Sequence, residues 1–236
     1  ELLQDPPPHL GFESDHLPYS SVTDLESAMP GASLVATSEV IERLRQIKSE
    51  KEQEGIRRAF EVARRAYGKV FEGFDWKGKE RDLAGRLEYE LRLAGAEGAA
   101  FDPIIASGSR SSLPHARSGP ATIDDASLLL IDFGAVKDGF HSDTTRVLWR
   151  PPDAEPEILE IVQEAQIRAI DGIRPGKPAS AVDALSREYI AARGYGEYFG
   201  HSLGHGLGLE IHELPRISST SETVLITNTS TGDGLD

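Results

Sequence analysis

The chain has no cysteine, so it can form neither a disulfide nor a thiolate metal site. Any metal must be held by carboxylate and imidazole, which suits Mn, Co, Zn or Fe better than a structural zinc of the Cys type. No apolar run is long enough to span a membrane, and no signal peptide opens the sequence. The first residue is Glu1, not Met; the start reads as mid-protein, and the cytoplasm is the default expectation. Positive charge is scarce: 25 Lys and Arg face 39 Asp and Glu, a formal net charge of −14. That balance argues against nucleic acid or an anionic membrane as the main partner. What is present fits a folded domain. The 236 residues are 39% apolar and 27% charged, enough for one sizeable domain or one domain plus a fragment of another.

Residues 1–37 have mixed composition, with a run at Pro6, Pro7 and Pro8, the segment Leu10-Gly11-Phe12-Glu13, and room for a helical turn from Leu25 to Met29. They read as the tail of a preceding domain and a linker. Helical signal begins near Ser38. Ser49 followed by Glu52 is a capping-box pattern, and Ile56, Phe60, Ala63, Tyr67 and Val70 then form one apolar stripe up to Gly73. Lys79 to Leu93 predicts a second helix with Leu83, Leu87 and Leu91 on one face, stopped by Gly95. From Ala99 to Trp149 the pattern is strand and turn. Leu128–Phe133 and Phe140–Leu148, joined through Lys137-Asp138-Gly139, predict a β-hairpin.

The order then recurs. Pro156–Ile170 is helical, with Ile158, Ile161, Val162, Ala165 and Ala169 on one face. Pro175-Gly176 breaks it, Ser180–Ala192 forms another helix with Val182, Leu185 and Tyr189, and Gly194 ends that. A repeat offset of about 100 residues (Lys79 against Ala179) predicts a pseudo-symmetric α+β fold. Only Val224-Leu225-Ile226 looks like a strand in the last stretch, so the second half is expected to be incomplete.

Asp132 lies inside the apolar run Leu-Leu-Leu-Ile-Asp-Phe-Gly, where a lone charge is costly. Asp143 lies on the other arm of the hairpin. If Lys137-Asp138 form the loop, the two aspartates are directly opposed; if Asp138-Gly139 form it, Asp143 shifts to a diagonal neighbour. Both registers put the two carboxylates on one face, where a divalent cation is the simplest compensation. The bland alternative makes one of them a turn residue and pairs the other with Arg146. The triplet Asp132-Phe133-Gly134 also occurs in protein kinases, but no Gly-rich phosphate loop or His-Arg-Asp loop accompanies it. His201, His205 and His212 fall within twelve positions, among Gly200, Gly204, Gly206 and Gly208. The glycines oppose a helix and favour an extended cleft wall; the bland reading is a turn with solvent-exposed histidines. His115, in Leu-Pro-His-Ala-Arg, is a lone loop histidine.

The ordered set Leu113-Pro114-His115, Ile131-Asp132-Phe133-Gly134, Ser142-Asp143-Thr144-Thr145-Arg146, Gly204-His205-Gly206-Leu207-Gly208 and His212-Glu213-Leu214-Pro215 resembles the M24 metallopeptidases. This is the pita-bread (creatinase/aminopeptidase) fold family of methionine aminopeptidase, aminopeptidase P and prolidase. The Xaa-Pro branch is favoured by the His-Glu-x-Pro segment and by Leu10–Met29, which is similar to the end of that branch's N-terminal domain. The resemblance divides the chain into residues 1–37 (domain tail and linker), 38–225 (catalytic domain, incomplete) and 226–236 (divergent tail). It implies metal ligands at Asp132, Asp143 and His205, catalytic roles for His115 and His212, and a substrate-pocket role for His201. Two divalent ions are implied, Mn or Co first and Zn as an option, together with a peptide substrate carrying proline at its second position and a homodimer in the intact form. The family's two Glu ligands have no counterpart in matching context, since Glu222, Asp233 and Asp236 do not fit. Weakened metal binding and little activity are therefore the expectation for this polypeptide. A non-catalytic peptide- or protein-binding relative and a metal-free hydrolase of the creatinase type are the competing readings; three retained ligand positions weigh against the latter.

Overall fold

A computed structural model describes residues 7–113, 116–150, 157–227 and 231–232. The chain divides between Leu44 and Arg45 into two compact units. In the first, β1 (His9–Glu13), α1 (Tyr19–Ala28) and β2 (Ser33–Thr37) follow one another, and β1 pairs with β2 in parallel from His9↔Ser33 to Glu13↔Thr37. The expected helical turn at Leu25–Met29 is part of a longer helix, and the two strands beside it go beyond what the sequence predicts for this domain tail and linker. The strands are short and α1 buries no residue, so the apolar periodicity that betrays an element is nearly absent here. A short helix, α2 (Val40–Arg45), spans the division.

The second unit opens with α3 (Glu50–Phe71). Its capping box is complete: the Ser49 hydroxyl accepts from the Glu52 N–H at 3.3 Å, and the Glu52 carboxylate accepts from the Ser49 N–H at 2.7 Å. Ile56, Ala59, Val62, Ala63, Ala66 and Val70 bury one stripe, against which α4 (Glu80–Leu93) packs. Gly55 is needed for a close approach: a Cβ there would fall 2.3 Å from the Phe140 ring. Beneath the helices lie two three-stranded antiparallel sheets. One orders β4 (Ile104–Ser107), β5 (Leu128–Phe133) and β8 (Thr144–Trp149). The other orders β3 (Gly98–Ala99), β6 (Ala135–Lys137) and β7 (Phe140–His141). Leu87, Leu91, Ile105, Ile123, Leu129 and Ile131 are wholly enclosed between helices and strands.

The hairpin is less continuous than its sequence implies. Both arms break, at Gly134 and at Ser142-Asp143. Gly134 has no room for a side chain, since a Cβ would lie 1.9 Å from the Ser142 carbonyl oxygen. The loop is Asp138-Gly139, with φ of 52° and 77°; both residues are left-handed, which a two-residue hairpin turn of this twist requires. The register is accordingly Lys137↔Phe140 and Asp132↔Thr145.

The second half repeats the plan. α5 (Glu157–Gly172) packs on α6 (Ala179–Ala192), closely enough that a Cβ on Gly172 would meet the Leu185 side chain at 2.1 Å. A shift of 99 positions (194 − 95) superposes two stopping glycines, Gly95 and Gly194, with φ of 101° and 87°. The same shift takes the buried Leu83, Leu87 and Leu91 of α4 onto the buried Val182, Ser186 and Ile190 of α6. It also takes Lys79, bridged to Thr122, onto Pro178, bridged to Val224. The expected strand Val224–Ile226 is reduced to that bridge, held by Leu225, which accepts from the Gly176 N–H and donates to the Lys177 carbonyl, and by the Ala179 N–H, which donates to the Thr223 carbonyl. A third sheet orders β10 (Glu213–Ile217), β9 (Gly204–Gly206) and β11 (Thr231–Gly232). Among the described residues no helix is long and apolar enough to cross a membrane.

Candidate metal centre

Asp132 stands on β5 opposite Thr145, whose hydroxyl donates to its Oδ1 at 3.0 Å. Asp143 occupies the break between β7 and β8, the diagonal position that the Asp138-Gly139 loop dictates. Burial raises the Asp132 carboxyl to about 6, and repulsion from Asp143 adds to that, against the opposing pull of the Thr145 hydroxyl and His205. Arg146 does not relieve the pair; its guanidinium donates to the Thr145 carbonyl at 2.9 Å.

His205 reaches the same place from β9. Its Nδ1 lies 2.9 Å from the Gly206 carbonyl oxygen, so that nitrogen carries the proton and Nε2 presents its lone pair. Nε2 in turn lies 3.4 Å from Oδ2 of Asp143. In the neutral tautomer two acceptors face each other, an arrangement that requires either a second proton on the ring or a cation between them. Without a cation the proton serves: burial opposes it, but Asp143, the Gly206 carbonyl and Asp132 together raise the His205 pKa. His212 packs edge-on against His205, with ring centroids 4.4 Å apart at 65°. Burial and the neighbouring His205 lower its pKa, against the attraction of Asp143, which keeps it a neutral imidazole at neutral pH.

The structure thus brings together Asp132, Asp143, His205 and His212. It leaves His201 in a different setting. That ring is exposed, packs edge-on to Phe199 at 4.9 Å and has Nδ1 2.8 Å from the Ser202 carbonyl. Its backbone carbonyl accepts from Arg187, which is itself fixed by the fully buried Asp183. His201 lines a cavity of about 300 Å³ with Arg187, Arg216 and Ser218. His115, together with Pro114, lies outside the described residues, as do Asp233 and Asp236; Glu222 is exposed. Among the described residues, no group of three His, Asp or Glu side chains stands in metal-holding geometry. The fit to a cation therefore rests on donor chemistry: two carboxylates repelling each other in a poorly solvated pocket, and an imidazole lone pair aimed at one of them. Those donors suit a hard or borderline divalent ion.

Sequence reasoning passed over two participants. Thr145 was legible only as part of its motif, and its contact with Asp132 depends on register. Glu213, also inside a motif, is buried against Lys48 and Arg45, which precede it by more than 160 positions; no local pattern announces such a contact.

The sequence model of metallopeptidase family M24 matches residues 54–231, and that of the creatinase/prolidase N-terminal domain matches residues 1–47. The chain is 44% identical over 218 residues to an Xaa-Pro dipeptidase of Pyrococcus horikoshii, covering 92% of this chain and 62% of the relative. Among solved structures it matches the prolidase of P. horikoshii with a TM-score of 0.87 and 43% identity, over 94% of this chain and 64% of that one. It matches an X-Pro aminopeptidase of Thermotoga maritima with a TM-score of 0.86 and 36% identity, over 94% and 63%. The chain therefore spans less than two thirds of the length of these relatives, and its α+β architecture is the pita-bread fold they share.

Proposed function

The chain belongs to metallopeptidase family M24, and from that premise we propose that its site serves the divalent-metal-dependent hydrolysis of peptide bonds that precede proline. The observation that carries the reading is the approach of Asp143 Oδ2 to Nε2 of His205 at 3.4 Å, beside a second buried carboxylate on Asp132. Asp132, Asp143 and His205 would hold the metal, with Mn or Co preferred and Zn as an option. A bound divalent ion supplies Lewis acidity and makes hydroxide available from water near neutral pH.

The protein's own part is to orient and to move protons. Thr145 engages one oxygen of Asp132, Oδ1. The Gly206 carbonyl fixes the His205 tautomer, as second partners of metal-binding histidines commonly do. A neutral His212 can donate a hydrogen bond to the carbonyl oxygen of the scissile bond as charge develops there, and it stands against the His205 ring. His115 is proposed for a similar supporting role, and His201 for lining the part of the cleft that holds the rest of the peptide. Residues 38–225 would form the catalytic domain, in a cytoplasmic homodimer.

Calorimetric titration with Mn²⁺ or Co²⁺, alongside hydrolysis of an Xaa-Pro dipeptide and an Xaa-Ala control, tests the reading. Saturable binding that disappears in Asp143→Asn and His205→Ala supports it. A chain that binds neither ion, or variants that bind as well as the original, would sink it.

A further inference from the structure

Glu213 follows His212 directly and opens β10. Its side chain keeps only 5% of its exposure, yet it ends in a carboxylate. Three donors hold it ionised. Lys48 Nζ donates to Oε2 at 2.8 Å, the Arg45 guanidinium donates to Oε1, and the backbone N–H of Glu210 donates to Oε1 at 3.1 Å. Lys48 is itself 3% exposed. It stands one residue before the N-cap of α3, and its carbonyl accepts from the Gln53 side chain at 3.2 Å. The carboxylate is therefore tied to the start of a helix that buries eight of its residues in the core.

On its other side the same carboxylate touches backbone. A Cβ on Gly208 would fall 2.7 Å from Glu213 Oε2, so carboxylate and main chain are in direct contact. The Gly208 carbonyl accepts the N–H of His141 at 2.8 Å, two positions before Asp143. Glu213 thus lies between its anchors Lys48 and Arg45 and the turn at residues 205–212, which carries two histidines and itself bonds, through Gly208, to the hairpin arm that carries Asp143. A buried ion pair contributes little net stability compared with apolar side chains of the same size. What it supplies here is directional contact at both ends.

We propose that Glu213 is a positioning residue: anchored on Lys48 and Arg45, it holds the turn at 205–212 so that His205 and His212 keep their ring contact and face Asp143. The use of that arrangement rests on the metallopeptidase reading; the arrangement itself does not.

The test uses metal-free protein in EDTA. The ring protons of His205 and His212, whose centroids are 4.4 Å apart, should give a cross-relaxation peak by NMR in the unaltered chain. The peak should vanish in Glu213→Gln and fall at least twofold in Lys48→Met, while the methyl shifts of Leu87, Ile105 and Ile131 stay in place. A role confined to stability lowers the unfolding midpoint and leaves the peak intact. Full peak intensity in both variants, or no peak in the unaltered chain, overturns the proposal. If the core methyls show that Glu213→Gln does not fold, Lys48→Met decides alone, because it leaves Arg45 and the Glu210 N–H on the carboxylate. A Mn²⁺ titration of the same proteins, after the EDTA has been removed, separates the two readings. Affinity at least tenfold weaker in Glu213→Gln supports the positioning role. Failure of the unaltered chain to bind Mn²⁺ removes the metallopeptidase reading and leaves the cross-peak to decide on Glu213.

Discussion

Oδ2 of Asp143 and Nε2 of His205 stand 3.4 Å apart, although one comes from the hairpin of the first half and the other from β9 of the second. With Nδ1 committed to the Gly206 carbonyl, nothing but a proton or a cation can make that contact attractive. Asp132 adds a second negative charge to the same pocket. The site is thus held together against electrostatic cost by the packing around it.

That cost predicts the behaviour of Asp132→Asn. Its folded-state pKa is raised to about 6 by burial and then by Asp143. A carboxyl shifted upward carries no penalty below its unfolded value and the full penalty above its folded one. The variant should therefore be more stable than the original chain above about pH 6, by about 3 kcal/mol, and equal to it near pH 3. Urea midpoints in EDTA across that range would check this; the same variant should lose its response to Mn²⁺.

Glu80 titrates with the opposite sign. It is the first residue of α4 and fully buried; it accepts from the Ser107 N–H and hydroxyl, the Arg110 guanidinium and the Gly119 N–H. Burial alone would raise its pKa, but these donors outweigh that and lower it. Its contribution is complete above the ordinary carboxylate value and is lost as the pH falls through the lower folded value. Glu80→Gln should cost about 2–3 kcal/mol at pH 7, and the gap to the original chain should narrow below pH 4 in the same urea series.

Gly134→Ala should cost about 3 kcal/mol or prevent folding. The added methyl would meet the Ser142 carbonyl oxygen at 1.9 Å, and backbone on both arms of the hairpin must yield. A thermal midpoint unchanged within a degree would contradict the tight crossing.

Ser49→Ala removes the hydroxyl half of the capping box at α3. A loss of about 1 kcal/mol is expected, with amide exchange speeding up in the first turn of α3 and unchanged near Val70.

Much of this architecture was legible from local chemistry. The capping box at Ser49, the stripe from Ile56 to Val70 and the stopping glycines Gly95 and Gly194 each follow from one turn of backbone and its neighbours. The hairpin was legible too, but its register was not. Lys137-Asp138 and Asp138-Gly139 are both acceptable loops, and the choice moved Asp143 from opposite Asp132 to its diagonal. The βαβ unit of residues 9–37 escaped because a helix that buries nothing leaves no apolar stripe to read.

The sequence by itself determined which donors exist: carboxylates inside an apolar strand, histidines among glycines, and no thiol. These are properties of side chains in their immediate neighbourhood. Tertiary structure alone decided which donors meet. It took His205 to Asp143 and His201 away to the cavity beside Arg187, and it buried Glu213 against Lys48 across most of the chain's length. Spacing along a chain governs only contacts within a few residues, whereas these meetings depend on how two helical pairs and their sheets pack.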